Sequence, residues 1–166
     1  MSGEIDFREL TDLSKEEKYR AVLPQISSLI KGEENKTANL ANIVSVLKYT
    51  FDYYLWAGFY LTDEQRKDEL VLGPFQGKVA CTRLKFGNGV CGTAAERKET
   101  IVVEDVNLFP GHIFCDTESK SEIVVPVIKK GRTAAVLDID SGISGAFDDT
   151  DKKYLEELIK KTEYLF

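Results

Sequence analysis

Two neighbouring runs, Glu122-Ile-Val-Val-Pro-Val-Ile128 and Thr133-Ala-Ala-Val-Leu-Asp-Ile-Asp140, decide the reading of this chain. Each is short, apolar and rich in branched side chains, and the Lys130-Gly131 signal between them predicts a turn. The second run ends in two carboxylates two positions apart, Asp138 and Asp140. In a strand, residues i and i+2 point to the same face, so both acids stand side by side.

Four more strands are predicted upstream, at 55–61, 70–75, 78–84 and 100–104, with turn signals at Asp63 and Gly77. The first 50 residues read as helical. Ser14 and Glu17 form a capping box preceded by Leu13 as a hydrophobic staple, and Pro24 predicts a kink or break. Leu40, Ile43, Val44 and Leu47 follow the i, i+3, i+4, i+7 pattern of an amphipathic helix. A short helix is predicted at 92–97. Asp148 caps a final helix that buries Tyr154, Leu155, Leu158 and Ile159. Strands in sequential hairpins with helices at both chain ends predict an antiparallel α+β domain. The division expected is one domain over 1–166: a helical N-terminal segment over 1–50, sheet and active site over 54–141, and a C-terminal helix over 147–165. The irregular stretch 105–121 is long for a compact domain, so it is either a misassigned element or a functional lid.

Composition narrows the function. The 166 residues carry 28 acidic and 22 basic side chains, a net charge of -6 that argues against a nucleic-acid surface. No apolar run approaches membrane-spanning length, and the N-terminus lacks a basic segment followed by an apolar one. A cytoplasmic location is expected. In that reducing compartment Cys81, Cys91 and Cys115 are poor candidates for structural staples, and their odd number leaves one over from any static pairing.

Cys81, in a predicted strand between Ala80 and Thr82, suits ordinary packing. Cys91 lies among Gly87, Gly89 and Gly92 at a helix start, where the dipole favours a thiolate, so local context ranks it first as the activated thiol. Cys115 lies in the long loop beside Asp116 and three residues after His112, the single histidine. That pair is weak ground for a Cys–His nucleophile, and a loop-tethering histidine is the better reading. The cysteines are separated by 10 and 24 positions, poor spacing for structural zinc, so no metal and no cofactor are expected. The Gly87-x-Gly89-x-x-Gly92 match lies in no βαβ unit and predicts a sharp turn rather than a dinucleotide site. Glu122, Asp138 and Asp140 together suit a cation such as an amino group, and mutual repulsion would leave one of them a proton donor. Trp56 and Tyr60 share a strand face; core packing is their default role, and beside acids they can wall a cage for a small cation.

Several blocks resemble the free methionine-(R)-sulfoxide reductases: Trp56-Ala-Gly-Phe-Tyr60, Leu72-Gly-Pro-Phe-Gln-Gly77, Gly89-Val-Cys-Gly-Thr-Ala94, Phe109-Pro-Gly-His-Ile113, Ser119 to Pro126, and Leu137 to Ser141. The resemblance implies a GAF domain with a six-stranded antiparallel sheet flanked by helices. It makes Cys115 the nucleophile, Cys81 or Cys91 the resolving thiol, and Glu122 the proton donor. Glu122, Asp138, Asp140, Trp56 and Tyr60 would line the substrate pocket. It overrides the local preference for Cys91 as attacking residue. Its implied partners are free methionine-(R)-sulfoxide and a thioredoxin reductant, with a homodimer left open. A non-catalytic GAF-type ligand or redox sensor is the main alternative, and a thiol peroxidase a weaker one.

Overall fold

A computed structural model of the chain describes residues 5–113 and 115–166. The Glu122–Asp140 region folds as the central hairpin of the sheet. Strands β5 (Ser121–Lys129) and β6 (Arg132–Ser141) pair antiparallel through a two-residue turn. Lys130 and Gly131 both take positive φ, 50° and 75°, the backbone twist that short hairpins favour. The other strands are β1 (Trp56–Thr62), β2 (Glu69–Gln76), β3 (Arg83–Lys85) and β4 (Ile101–Val103). All six join one antiparallel sheet in the order β3-β2-β1-β6-β5-β4. Pro126, which has no N–H to donate, pairs with Val136 beyond the last β4 partner, Val124, so its open side lacks a strand.

The helices are α1 (Lys15–Leu29), α2 (Lys36–Thr50), α3 (Gly89–Arg97) and α4 (Asp149–Thr162). Strand alternation divides the sheet into two unlike faces. Ala57, Phe59, Ile123, Val125, Leu137 and Ile139 point to one side and share the main core with α1, α2 and α4. Trp56, Tyr60, Val124 and Val136 point to the other, where α3 supplies Val90, Cys91, Ala94 and Ala95.

The capping box at Ser14 forms, and the Asp148 cap closes a second one with Asp151. Leu13 packs against the core, but Lys18 holds the position a staple partner would need. Four expectations need correction. Pro24 does not break α1: it is exposed, so the carbonyl left without an N–H partner faces the solvent side. Helix α3 begins at Gly89, earlier than 92, because Gly92 packs against β3; a Cβ there would lie 2.1 Å from the Lys85 carbonyl oxygen. Helix α4 occupies a shorter span than 147–165, since Glu163–Leu165 tighten into a 3₁₀ turn. The predicted strand 78–84 shrinks to Arg83–Lys85, and Cys81 therefore lies outside any strand. The cause is in the site below.

Candidate active site

The register across four strands builds the site. Trp56 on β1 pairs with Asp140 on β6, Asp140 with Glu122 on β5, and Glu122 with Val103 on β4. One row along, Gly58 pairs with Asp138 and Asp138 with Val124. The three carboxylates therefore share the face that packs α3, and they line a cleft together with Trp56, Tyr60, Cys91 and Cys115.

Trp56 stacks on Phe75 with ring centroids 5.4 Å apart and lies 6.0 Å from Tyr60. Each aromatic spends its polar tip on segment 78–82: Trp56 Nε1 donates to the Lys78 carbonyl at 3.0 Å, and Tyr60 Oη donates to the Cys81 carbonyl at 2.9 Å. Those side-chain bonds divert backbone carbonyls from ladder pairing and pull the segment over the cleft, which explains the short β3. Gly77 makes room for the indole, at φ +139° and with a Cβ position only 2.4 Å from Trp56 Cδ1.

Cys81, held in this way, is disulfide-bonded to Cys115 with Cα atoms 5.5 Å apart, inside the usual span for such a bridge. Before β5 begins at Ser121, the stretch 105–121 holds the 3₁₀ turn Val106–Leu108 as its one helix or strand among the described residues, and Phe114 lies outside the description. Its ends are tied by the Val106 N–H, which donates to the Lys120 carbonyl. Lys78 pairs with Glu118, joining the Cys81 segment to the Cys115 loop a second time.

Cys91 is free and buried, with Sγ 3.9 Å from Glu122 Oε1. Its place at the start of α3 suggests an activated thiolate, and its surroundings oppose one. Burial pushes the thiol pKa well up, and Asp138 and Glu122 push it further, outweighing the helix dipole. Cys91 therefore holds its proton.

The carboxylates are unlike ordinary surface acids. Burial holds Glu122 well above the usual carboxylate range, with Asp140 adding to it. Asp138 is raised by burial and then by Glu122 and Asp140. Burial raises Asp140 to about 6, against a hydrogen bond from Ser119 Oγ at 2.5 Å that pulls it down. Asp138 is hydrogen-bonded to Cys91 and Glu122, while its Oδ1 is buried without a partner among the described residues. No Lys or Arg is among the described residues lining the cleft.

The sequence reading undervalued His112. Its side chain is 7% exposed, and Nε2 lies 3.4 Å from Glu122 Oε2. Burial lowers its pKa while burial raises that of Glu122, so both groups are pushed towards their neutral forms. Ser119 was missed as well, although it sits in one of the blocks quoted above. The signal for His112 was its position three residues before Cys115; Ser119 offered none, because its partner Asp140 is 21 positions away.

This fold and cleft define a class. Residues 42–161 match the GAF domain family, and the chain is a GAF-domain protein. It is 48% identical to the free methionine-R-sulfoxide reductase of Saccharomyces cerevisiae, over 90% of this chain and 86% of that one. It is 44% identical to the free methionine-R-sulfoxide reductase of Escherichia coli, over 91% and 90%. The X-ray structure of the Neisseria meningitidis free methionine-R-sulfoxide reductase in complex with its substrate superposes with a TM-score of 0.90 at 51% identity, covering 94% of this chain and 92% of that one. Within the GAF class, the chain belongs to the free methionine-R-sulfoxide reductase family.

Proposed function

We propose that this protein reduces free L-methionine-(R)-sulfoxide to L-methionine, with Cys115 as nucleophile and Cys81 as resolving thiol. One observation carries the reading: the Cys81–Cys115 disulfide borders a cleft of buried, cation-free carboxylates. The Cys115 thiolate attacks the sulfoxide sulfur while Glu122 gives its proton to the oxygen. Methionine leaves as Cys115 becomes a sulfenic acid. Condensation with the Cys81 thiol then releases water and forms the disulfide. A thioredoxin-type dithiol restores both thiols by exchange and is itself oxidised. This cycle requires a reducing compartment such as the cytoplasm. Asp138 and Asp140 pair the substrate ammonium between the Trp56 and Tyr60 walls, so methionine sulfoxide inside a peptide, whose nitrogen is an uncharged amide, is discriminated against.

The test is methionine release from the free (R)-sulfoxide with thioredoxin and its reductase. Turnover with the free amino acid and little with a blocked amine is expected. No release above background would leave a GAF-type redox sensor as the better description.

A further inference from the structure

The Cys115 loop is held from outside itself. Between the Val106–Leu108 turn and β5 its described residues form no helix or strand, so side-chain ties fix its place. Ser119 Oγ fastens it to Asp140 on β6, and Asp116 Oδ1 accepts the Glu118 N–H at 2.9 Å in a tight turn. Segment 78–82 has separate anchors on β1, since Trp56 and Tyr60 hold the Lys78 and Cys81 carbonyls. Lys78 crosses from this segment to the loop. Its Nζ pairs with Glu118 and lies 4.0 Å from Oδ2 of Asp116, the residue next to Cys115.

We propose that Lys78 is a positioning residue for the resolving step: its ammonium, seated on Asp116 and Glu118, keeps the reduced Cys115 loop beside Cys81. The inference rests on the proposed function for its place in the cycle. Once methionine has left, Cys115 is a sulfenic acid and no covalent bond joins the two segments. The Cys81 sulfur then attacks the Cys115 sulfur. The S–S bond forms, the S–O bond breaks, and the hydroxyl leaves as water with the thiol proton. That step is intramolecular, so its rate follows how often the loop lies within reach. Lys78 is exposed, and an exposed ion pair shifts an equilibrium by no more than about fivefold. A factor of that size is lost in a stability measurement, yet it shows directly in the ratio of two competing rates. Lys78 is not among the described residues lining the cleft, so the methionine-releasing step should not depend on it.

The experiment gives the reduced full chain one equivalent of free methionine-(R)-sulfoxide in the presence of dimedone, a 1,3-diketone that captures sulfenic acids. Mass spectrometry reads the ratio of Cys115 adduct to Cys81–Cys115 disulfide. Lys78→Gln should raise that ratio about threefold to fivefold and leave the methionine burst unchanged. Lys78→Arg should stay near wild type, and Lys78→Glu should exceed Lys78→Gln. Adding Glu118→Lys to Lys78→Glu should bring the ratio back toward wild type. Salt at about 0.5 M should raise it in wild type but not in Lys78→Gln. A ratio that Lys78→Gln leaves unmoved overturns the inference, and so does a shift that Lys78→Arg shares or that the charge swap does not reverse. One equivalent of hydrogen peroxide makes the same sulfenic acid without the sulfoxide. A missing methionine burst therefore strikes the proposed function alone, while the ratio after peroxide still decides the role of Lys78.

Discussion

The two faces of the sheet each bury carboxylates, and they treat them in opposite ways. On the main-core side Asp151 is fully buried and saturated with donors. Tyr19 and Tyr53 donate to Oδ1 at 2.8 and 2.6 Å, while Lys15 Nζ and the Asp148 N–H donate to Oδ2 at 2.5 and 2.9 Å. That hub ties α1, the approach to β1 and the first turn of α4, and its charge is paired with a lysine. On the cleft side Asp138, Glu122 and Asp140 crowd together with one serine donor, one thiol, one imidazole and no lysine or arginine among the described lining residues. A carboxylate that serves the scaffold has its partners built in. Carboxylates that serve a ligand are held in place with their partners withheld, and burial then keeps protons on them.

The largest expected effect separates chemistry from scaffold. Cys115→Ser should abolish methionine release even in a single turnover under dithiothreitol, while the protein still melts cooperatively; surviving release would place the nucleophile elsewhere. Next comes the scaffold hub. Asp151→Ala removes the acceptor of Tyr53 and one partner each of Lys15 and Tyr19, and should cost about 3 kcal/mol in chemical denaturation. The same kind of change on the cleft face should behave differently. Asp138→Asn should leave stability unchanged or raised, because it removes a repelled buried acid, yet raise KM for the free amino acid by about tenfold or more. A stability loss matching that of Asp151→Ala would erase the distinction between the faces.

pH offers a subtler test. The cleft acids have folded pKa values above their unfolded ones, so the folded state binds more protons in the interval between. Their contribution to stability is complete below pH about 4 and is lost as pH rises through about 6 for Asp140 and through the raised pKa values of Glu122 and Asp138. Melts of the substrate-free protein should show that loss, and Asp138→Asn should flatten it. The smallest effect belongs to Ser119→Ala. Without its donor Asp140 should titrate higher, moving the acid limb of the kcat/KM profile to higher pH while kcat at the optimum changes little.

The legible regions of the molecule were those set by neighbours in sequence. Helix caps at Ser14 and Asp148, the Lys130-Gly131 turn and the shared face of Asp138 and Asp140 follow from backbone periodicity and short-range hydrogen bonding. The strand prediction for 78–84 failed because the Trp56 and Tyr60 tips, 22 and 21 positions away, claim carbonyls of that segment. The ranking of Cys91 took in only half of its surroundings for a similar reason. The helix start that favours a thiolate is visible in the sequence, while the carboxylates that oppose it arrive from β5 and β6.

By itself, then, the sequence determined the element types, the central hairpin, the acidic pair on one strand face and, through resemblance, the family. Tertiary structure alone decided that Cys81 and not Cys91 lies in bonding distance of Cys115, and that His112 and Ser119 meet the acidic set. Periodicity reports which way a side chain points. Its charge state and reactivity depend on burial and on long-range partners, which only the folded chain brings together.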